Sequence, residues 1–201
     1  MNRFRGFTLV EIIVAIAILI IIMIAVSSFQ YNVINYNRSG AVALTNAQEI
    51  QALLKIMTKE MRSMEQGSDG AYPLIATATS SITFFADVDN NSNKERVRYY
   101  IATTTLYRGV IKPVGSPATY PSNMETKKIL ITGIRNSPTS PIFEYFDAMY
   151  SGTSSPMSYP LNLTSIRLVK TTLTIDTDPA KSPVLRTFTT QVGLRNLKDN
   201  L

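Results

Sequence analysis

The feature that most constrains this chain is an apolar run near its start, residues 7–29, which carries a single charged side chain. A helix of roughly 20 apolar residues crosses about 30 Å of hydrocarbon, so the run predicts a transmembrane helix. Arg3 and Arg5 precede it, and no basic residue follows until Arg38. Because basic residues stay preferentially on the cytoplasmic side, the sequence predicts a cytoplasmic N-terminus and an extracytoplasmic remainder.

The single charge in the run is Glu11. A charged side chain at membrane depth costs about 2.5–3.5 kcal/mol on insertion scales, so such a residue usually marks a function and a partner. A secretory signal peptide cut near Ala25-Val26-Ser27 is the plain alternative. The length of the run and the carboxylate inside it favour a retained helix over that alternative.

The side-chain inventory excludes most enzyme designs. The 201 residues include neither Cys nor His. There is therefore no disulfide framework, thiol nucleophile, Ser-His-Asp triad, His-ligated zinc or imidazole base. The formal charge of +6 is only mildly basic and falls short of a nucleic-acid-binding signature. We expect no catalytic activity and no nucleic-acid partner.

An amphipathic helix is predicted over residues 30–66, continuing from the membrane segment. Apolar residues recur there at spacings of three and four, which makes one apolar stripe. The stripe comprises Ala43, Ala47, Ile50, Leu54, Met57, Met61 and Met64. Gly67-Ser68-Asp69-Gly70 follows and is typical of a helix end. This helix is expected to bury its stripe against a globular head.

From Ala71 onward the pattern changes to period two with many β-branched residues. Seven short strands separated by turn residues predict an antiparallel, meander-like head over residues 67–201. The fold class is therefore α+β, with a long N-terminal helix packed against a β-rich head. The candidate strands are residues 81–86, 96–101, 105–110, 128–132, 142–146, 165–175 and 186–194.

One loop carries candidate metal ligands. Oxygen-bearing side chains alternate along it: Asp87, Asp89, Asn91, Asn93 and Glu95. This spacing matches the start of an EF-hand calcium loop. The EF-hand template then fails, because Ser92 stands at its glycine position and Arg98 at its bidentate glutamate position. Two interpretations stay open: a hairpin turn built from turn-forming residues, or a calcium site.

The N-terminal motif carries a family resemblance. Gly6-Phe7-Thr8-Leu9-Val10-Glu11, after a short basic leader, resembles the processing site of type IV prepilins and type II secretion pseudopilins. The resemblance implies that a prepilin peptidase removes residues 1–6 by cutting between Gly6 and Phe7, and then methylates the new amine of Phe7. It also implies that Glu11 pairs in a filament with the Phe7 amine of a neighbouring subunit, since paired charges offset each other's desolvation. The alternative for Glu11 is a side chain that snorkels to the membrane interface.

Stretches of the head resemble a minor pseudopilin of the J type, also called PilW-like: residues 84–101, 103–110, 166–179 and 189–197. The resemblance implies a pilin-like fold and a minor subunit of a type IV pilus or a type II secretion pseudopilus, in the priming or tip complex. The implied partners are prepilin peptidase, other pilins or pseudopilins, the inner-membrane assembly platform and membrane lipid. The implied location is the inner membrane, as a single-pass protein, and then the pilus or pseudopilus. The alternative function is a membrane-anchored extracytoplasmic binding module, with calcium as a candidate cofactor, that does not polymerise.

Overall fold

The structure, a computed structural model, describes residues 8–176 and 185–194. Within the helix, the side chains of Ala25 and of residues 31–46 fall outside this description. The chain divides into two compact units, Met1–Thr45 and Asn46–Leu201. Helix α1, Leu9–Arg62, contributes residues to both units.

In the first unit, α1 presents the apolar run to its surroundings. The segment Leu9–Gln30 has a mean hydropathy of 3.3 and is long and apolar enough to cross a membrane. Its described large apolar side chains are 48–73% exposed in the isolated chain. So much contiguous apolar surface indicates a segment covered by lipid or by other chains.

In the second unit, α1 buries the predicted stripe from Ile50 onward, whereas Ala47 is partly exposed and the side chain of Ala43 lies outside the described residues. Ile50, Met57 and Met61 are almost fully buried, and Leu54 nearly so. The helix ends at Arg62. The prediction placed its end at residue 66, so that boundary was wrong. The next residues leave the helix to meet strand β2 (Ser81–Ala86): Met64 forms a bridge with Ala86, and the Glu65 N–H donates to the Phe85 carbonyl.

Over its described residues, the head contains two antiparallel sheets, each a meander in sequence order. The α+β class with an antiparallel head is confirmed, and the seven predicted strands correspond to β2–β8. The four-residue strand β1 was not predicted. The first sheet contains β1 Leu74–Thr77, β2 Ser81–Ala86, β3 Glu95–Ala102, β4 Thr105–Ile111 and β5 Thr126–Ile131. The second contains β6 Phe143–Phe146, β7 Leu168–Asp176 and β8 Leu185–Gly193, and 3-10 turns lie at Ser122–Met124 and Leu163–Ser165.

One hydrophobic core joins the helix stripe to both sheets. It includes Phe84 and Tyr99 from the first sheet and Leu173 from the second. The Tyr145 hydroxyl of β6 donates to the carbonyls of Ala78 (3.0 Å) and Ser81 (3.1 Å) near the start of β2. These contacts tie the second sheet to the β1–β2 turn of the first.

A charged cluster fastens α1 to the first sheet. Glu60 of the helix accepts two hydrogen bonds from the Arg108 guanidinium, at 3.0 and 2.8 Å, and one from the Tyr99 hydroxyl at 2.6 Å. Burial and the negative charge of Glu60 raise the pKa of Tyr99, so this hydroxyl stays a donor. On β3, the Arg98 guanidinium forms a similar bidentate ion pair with Glu125, with hydrogen bonds of 2.9 and 2.8 Å. Two of the head's arginines are thus engaged in ion pairs within the chain.

Candidate functional site

The N-terminal candidate site is a capping box at the start of α1. The Glu11 carboxylate (Oε2) accepts hydrogen bonds from the Thr8 N–H at 3.1 Å and from the Thr8 hydroxyl at 3.2 Å. The Thr8 Oγ1 in turn accepts the Glu11 N–H at 3.3 Å. This reciprocal arrangement satisfies backbone N–H groups that a helix start leaves without intrahelical partners. Glu11 therefore has a role inside its own chain that the sequence analysis missed, although the Thr-x-x-Glu pattern encodes it.

Gly6 and Phe7, the predicted processing residues, lie outside the described residues. Cleavage between them, methylation of Phe7 and the pairing of its amine with Glu11 therefore stay predictions. Both Glu11 and Thr8 are exposed in the single chain, so the carboxylate is accessible from outside the chain.

The second candidate site is the acid loop, residues 87–95, which joins β2 to β3. The strands are paired up to Ala86 opposite Glu95, so the loop is the end of a hairpin. Asp87 closes it: Oδ1 accepts the Asn91 N–H at 3.1 Å and Oδ2 accepts the Ser92 N–H at 2.9 Å. Ser92 adopts a φ of 71°, the left-handed backbone that glycine adopts most easily. The missing glycine of the calcium-loop template therefore does not prevent the turn.

Three of the five predicted ligands converge in this loop. One carboxylate oxygen from each of Asp87, Asp89 and Glu95 lies within 4.8 Å of the other two. Glu95 is fully buried. Its Oε2 accepts the Val88 N–H at 3.0 Å, whereas its Oε1 has no hydrogen-bond partner among the described residues. Burial, and next the negative charges of Asp89 and Asp87, raise the pKa of the Glu95 carboxyl against the opposing effect of the Val88 N–H.

Two lysines lie beside the carboxylates. Lys112 Nζ is 2.7 Å from Asp89 Oδ2, and this hydrogen bond is the main reason that the pKa of Asp89 is lowered. Lys94 Nζ is 2.7 Å from Glu65 Oε2 and only 3.9 Å from Asp87 Oδ2. The lysines thus partly neutralise Asp87 and Asp89.

The two predicted amide ligands interact with each other in the loop. Asn91 Oδ1 accepts the Asn93 N–H at 2.8 Å, and both side chains are exposed. Arg98, at the template's bidentate position, pairs with Glu125 instead. The loop is therefore a hairpin turn with three clustered carboxylates, and its metal binding stays a prediction.

The comparisons with known proteins identify the class of the N-terminus. Residues 1–27 match the family model of the prokaryotic N-terminal methylation motif, which confirms the prediction of a prepilin-type N-terminus. Among solved structures, a chain in the crystal structure of the GspK-GspI-GspJ complex from the enterotoxigenic Escherichia coli Type 2 Secretion System is similar. The two chains are 19% identical with a TM-score of 0.42, over 71% of this chain and 95% of that one. No curated protein matches this chain in sequence.

Proposed function

We propose that the chain is a minor pilin or pseudopilin, a structural subunit of a type IV pilus or a type II secretion pseudopilus. The observation that carries this proposal is the match of residues 1–27 to the N-terminal methylation motif. The exposed apolar helix and the separate β-rich unit support it. A J-type, PilW-like role in the priming or tip complex is the finer form of the same proposal.

In this proposal the chain inserts as an inner-membrane precursor with a cytoplasmic leader and an extracytoplasmic head. Prepilin peptidase then cuts between Gly6 and Phe7 and methylates Phe7. The assembly platform moves the subunit from lipid into contact with the helices of other subunits. The helix between Leu9 and Gln30 is exposed and apolar, and both environments are apolar. The transfer therefore exchanges one apolar neighbour for another and depends on packing rather than on burial from water.

Glu11 is the one charged side chain of residues 7–29 that this transfer must accommodate. A lone carboxylate among packed apolar helices is unfavourable, and so is a lone ammonium, whereas the two paired offset much of their desolvation. Pairing with the Phe7 amine of a neighbour would therefore fix the axial position of the subunit. An ionised carboxylate offers about four lone-pair sites, so Glu11 can cap its own helix through Thr8 and still bind that amine.

Processing is tested by mass spectrometry of the protein purified from membranes. We expect loss of residues 1–6 and a methyl group on Phe7. A host that lacks prepilin peptidase should keep the leader, and Gly6→Leu should keep it in any host, because a side chain at the cut crowds the protease subsite. An intact leader in a host with active peptidase would contradict the proposal. A fully processed protein that never co-purifies with other pilins would instead support the anchored binding module.

The role of the Glu11 charge is tested with two matched variants. Glu11→Gln removes the charge and keeps a residue that can complete a capping box, whereas Thr8→Val keeps the charge and removes the capping hydroxyl. We expect both variants to insert and to be cleaved. Glu11→Gln should lose co-purification with other subunits, and Thr8→Val should largely keep it. Equal recovery of Glu11→Gln and wild type, with equal filament counts, would assign Glu11 to capping or snorkelling alone.

A further inference from the structure

We propose that Asp87, Asp89 and Glu95 form a calcium site at the tip of the β2–β3 hairpin. The convergence of one oxygen from each side chain within 4.8 Å places three ligands around one point. The proposal concerns the head alone and does not depend on whether the chain assembles into a filament.

The observation that carries the proposal is the unpartnered oxygen of Glu95. Its side chain is fully buried, and Oε1 has no hydrogen-bond partner in the described part of the chain. A buried carboxylate oxygen without a partner is strongly unfavourable. Asp87 and Asp89, which each place an oxygen within 4.8 Å of the same Glu95 carboxylate, add repulsion between like charges. A divalent cation bound by all three carboxylates removes both penalties at once.

The donor set selects a hard cation. All three ligands are carboxylates, and the whole sequence contains no Cys or His that would favour zinc or copper. Ca²⁺ binds oxygens at about 2.3–2.6 Å, so ligands on opposite sides of the ion lie about 4.6–5.2 Å apart. The three oxygens lie no more than 4.8 Å apart, which fits within such a shell. Mg²⁺ usually keeps several waters and binds through one or two carboxylates, so calcium is the better match for three converging carboxylates.

Local structure holds two of the ligands in place and leaves the third adjustable. Glu95 begins β3 and is fixed opposite Ala86, while both oxygens of Asp87 accept backbone N–H groups of the loop. Asp89 is more exposed, and its partner Lys112 has a side chain that is 68% exposed. An ion pair this exposed contributes little stability, so Asp89 can exchange the lysine for the ion. Loop oxygens and water would complete the six to eight ligands that Ca²⁺ takes.

The neighbouring charges set a modest affinity. Lys112 competes for Asp89, and Lys94, which is paired with Glu65, lies 3.9 Å from Asp87. We therefore expect a dissociation constant of about 10⁻⁴–10⁻³ M, the range of extracellular calcium modules. An affinity in this range suits a site that is exposed to extracellular calcium.

The test is a calcium titration of the full-length protein in detergent after removal of metals with a chelator. Isothermal titration calorimetry with CaCl₂ up to about 10 mM should give one site, and thermal melting of the tyrosine signal should shift upward with calcium. Glu95→Gln and Asp89→Asn should each weaken calcium binding by at least about tenfold. Asp147→Asn is the matched control, since Asp147 is an exposed loop aspartate that accepts the Met149 N–H at 2.9 Å; it should bind calcium as wild type does.

Glu95→Gln also separates binding from folding. The amide removes a buried charge, so without calcium this variant should melt no lower than wild type, and with calcium it should lack the upward shift. If Glu95→Gln does not fold, Asp89→Asn, at a partly exposed position, still tests the site. Absence of binding and of a melting shift in wild type would overturn the proposal, as would unchanged affinity in both variants. Equal affinity for MgCl₂ would overturn the assignment to calcium.

Discussion

The cluster that joins the helix to the first sheet should be the most sensitive charged site of the head. Glu60→Leu removes the acceptor of three hydrogen bonds, two from Arg108 and one from Tyr99. The Arg108 guanidinium, whose side chain is only 20% exposed, then lacks its counter-charge. The Tyr99 hydroxyl, on a fully buried residue, then lacks its acceptor. Both losses act on the folded state only, so the unfolding free energy should fall.

The expected loss is about 3 kcal/mol. Breaking a buried ion pair by removing one partner costs about 3–5 kcal/mol, and leaving a buried hydroxyl unpaired costs about 1–3 kcal/mol. The side chains of Glu60 and Arg108 are 14% and 20% exposed, so water can reach the freed guanidinium and reduces the first cost. For a domain of about 150 residues, 1 kcal/mol changes Tm by about 2–4 °C. We therefore expect Glu60→Leu to melt about 6–12 °C lower than wild type.

The assay is thermal and urea unfolding of wild type, Glu60→Leu, Arg108→Leu and the double variant. Because each single variant leaves an uncompensated charge and the double does not, the double should lose less than the sum, by about 1 kcal/mol or more. The control is Glu144→Leu, which breaks a single 2.8 Å contact with Lys170 across β6 and β7. The side chains of Lys170 and Glu144 are 30% and 18% exposed, and the variant breaks one contact rather than three hydrogen bonds, so it should cost only about 1 kcal/mol. A loss from Glu60→Leu as small as the control's, or additive losses in the cycle, would refute the reasoning.

Three further variants test the head by the same unfolding measurements. Thr171→Val should raise the unfolding free energy by about 1 kcal/mol, because the buried Thr171 hydroxyl has no partner among the described residues; a loss would show that it is satisfied. Gly109→Ala should lower it by about 1–2 kcal/mol, because a Cβ there collides with the Glu125 carboxylate and disturbs its fork with Arg98; an unchanged Tm would contradict this. The third test concerns the pH dependence of the unfolding free energy in calcium-free buffer. This free energy should fall as the pH rises from the usual glutamate pKa through the raised pKa of Glu95. In that pH range the Glu95 carboxyl holds a proton in the folded chain but not in the unfolded chain. Glu95→Gln should abolish this fall, and an identical pH profile in both proteins would exclude Glu95 as its source.

Local sequence patterns predicted most of the fold because those elements are encoded by their own periodicity. The period-two runs gave β2–β8, and spacings of three and four gave the buried stripe of α1. Strand β1, Leu74–Thr77, is only four residues long and shows no clear alternation. Its strand conformation depends on the antiparallel pairing with β2, which its own residue pattern does not indicate. The helix end was misplaced for a similar reason, since Met64 leaves the helix to bridge Ala86, a residue distant in sequence.

The acid loop could be located from its composition, but its geometry depends on the fold. A linear template counts positions from Asp87 and expects the last ligand at Arg98, which instead pairs with Glu125. The structure selects Glu95, because pairing opposite Ala86 at the start of β3 buries that carboxylate beside Asp87 and Asp89. Burial of a particular side chain is a property of packing. Composition therefore identified the candidate ligands but could not rank them.

Glu11 and Glu95 are proposed to bind different partners. Glu11 pairs with an amine from a neighbouring subunit, and Glu95 binds a cation from solution. They lie in different compact units of the chain, so their effects should be separable. Because the described hydrogen bonds of the Glu11 side chain are both with Thr8, Glu11→Gln should impair recruitment into the filament and leave calcium affinity unchanged. Glu95→Gln should weaken calcium binding and leave cleavage after Gly6 unchanged, as judged by the mass of the purified protein. If Glu11→Gln also weakened calcium binding in detergent, where no filament forms, the two carboxylates would be coupled through the chain and this separation would be wrong.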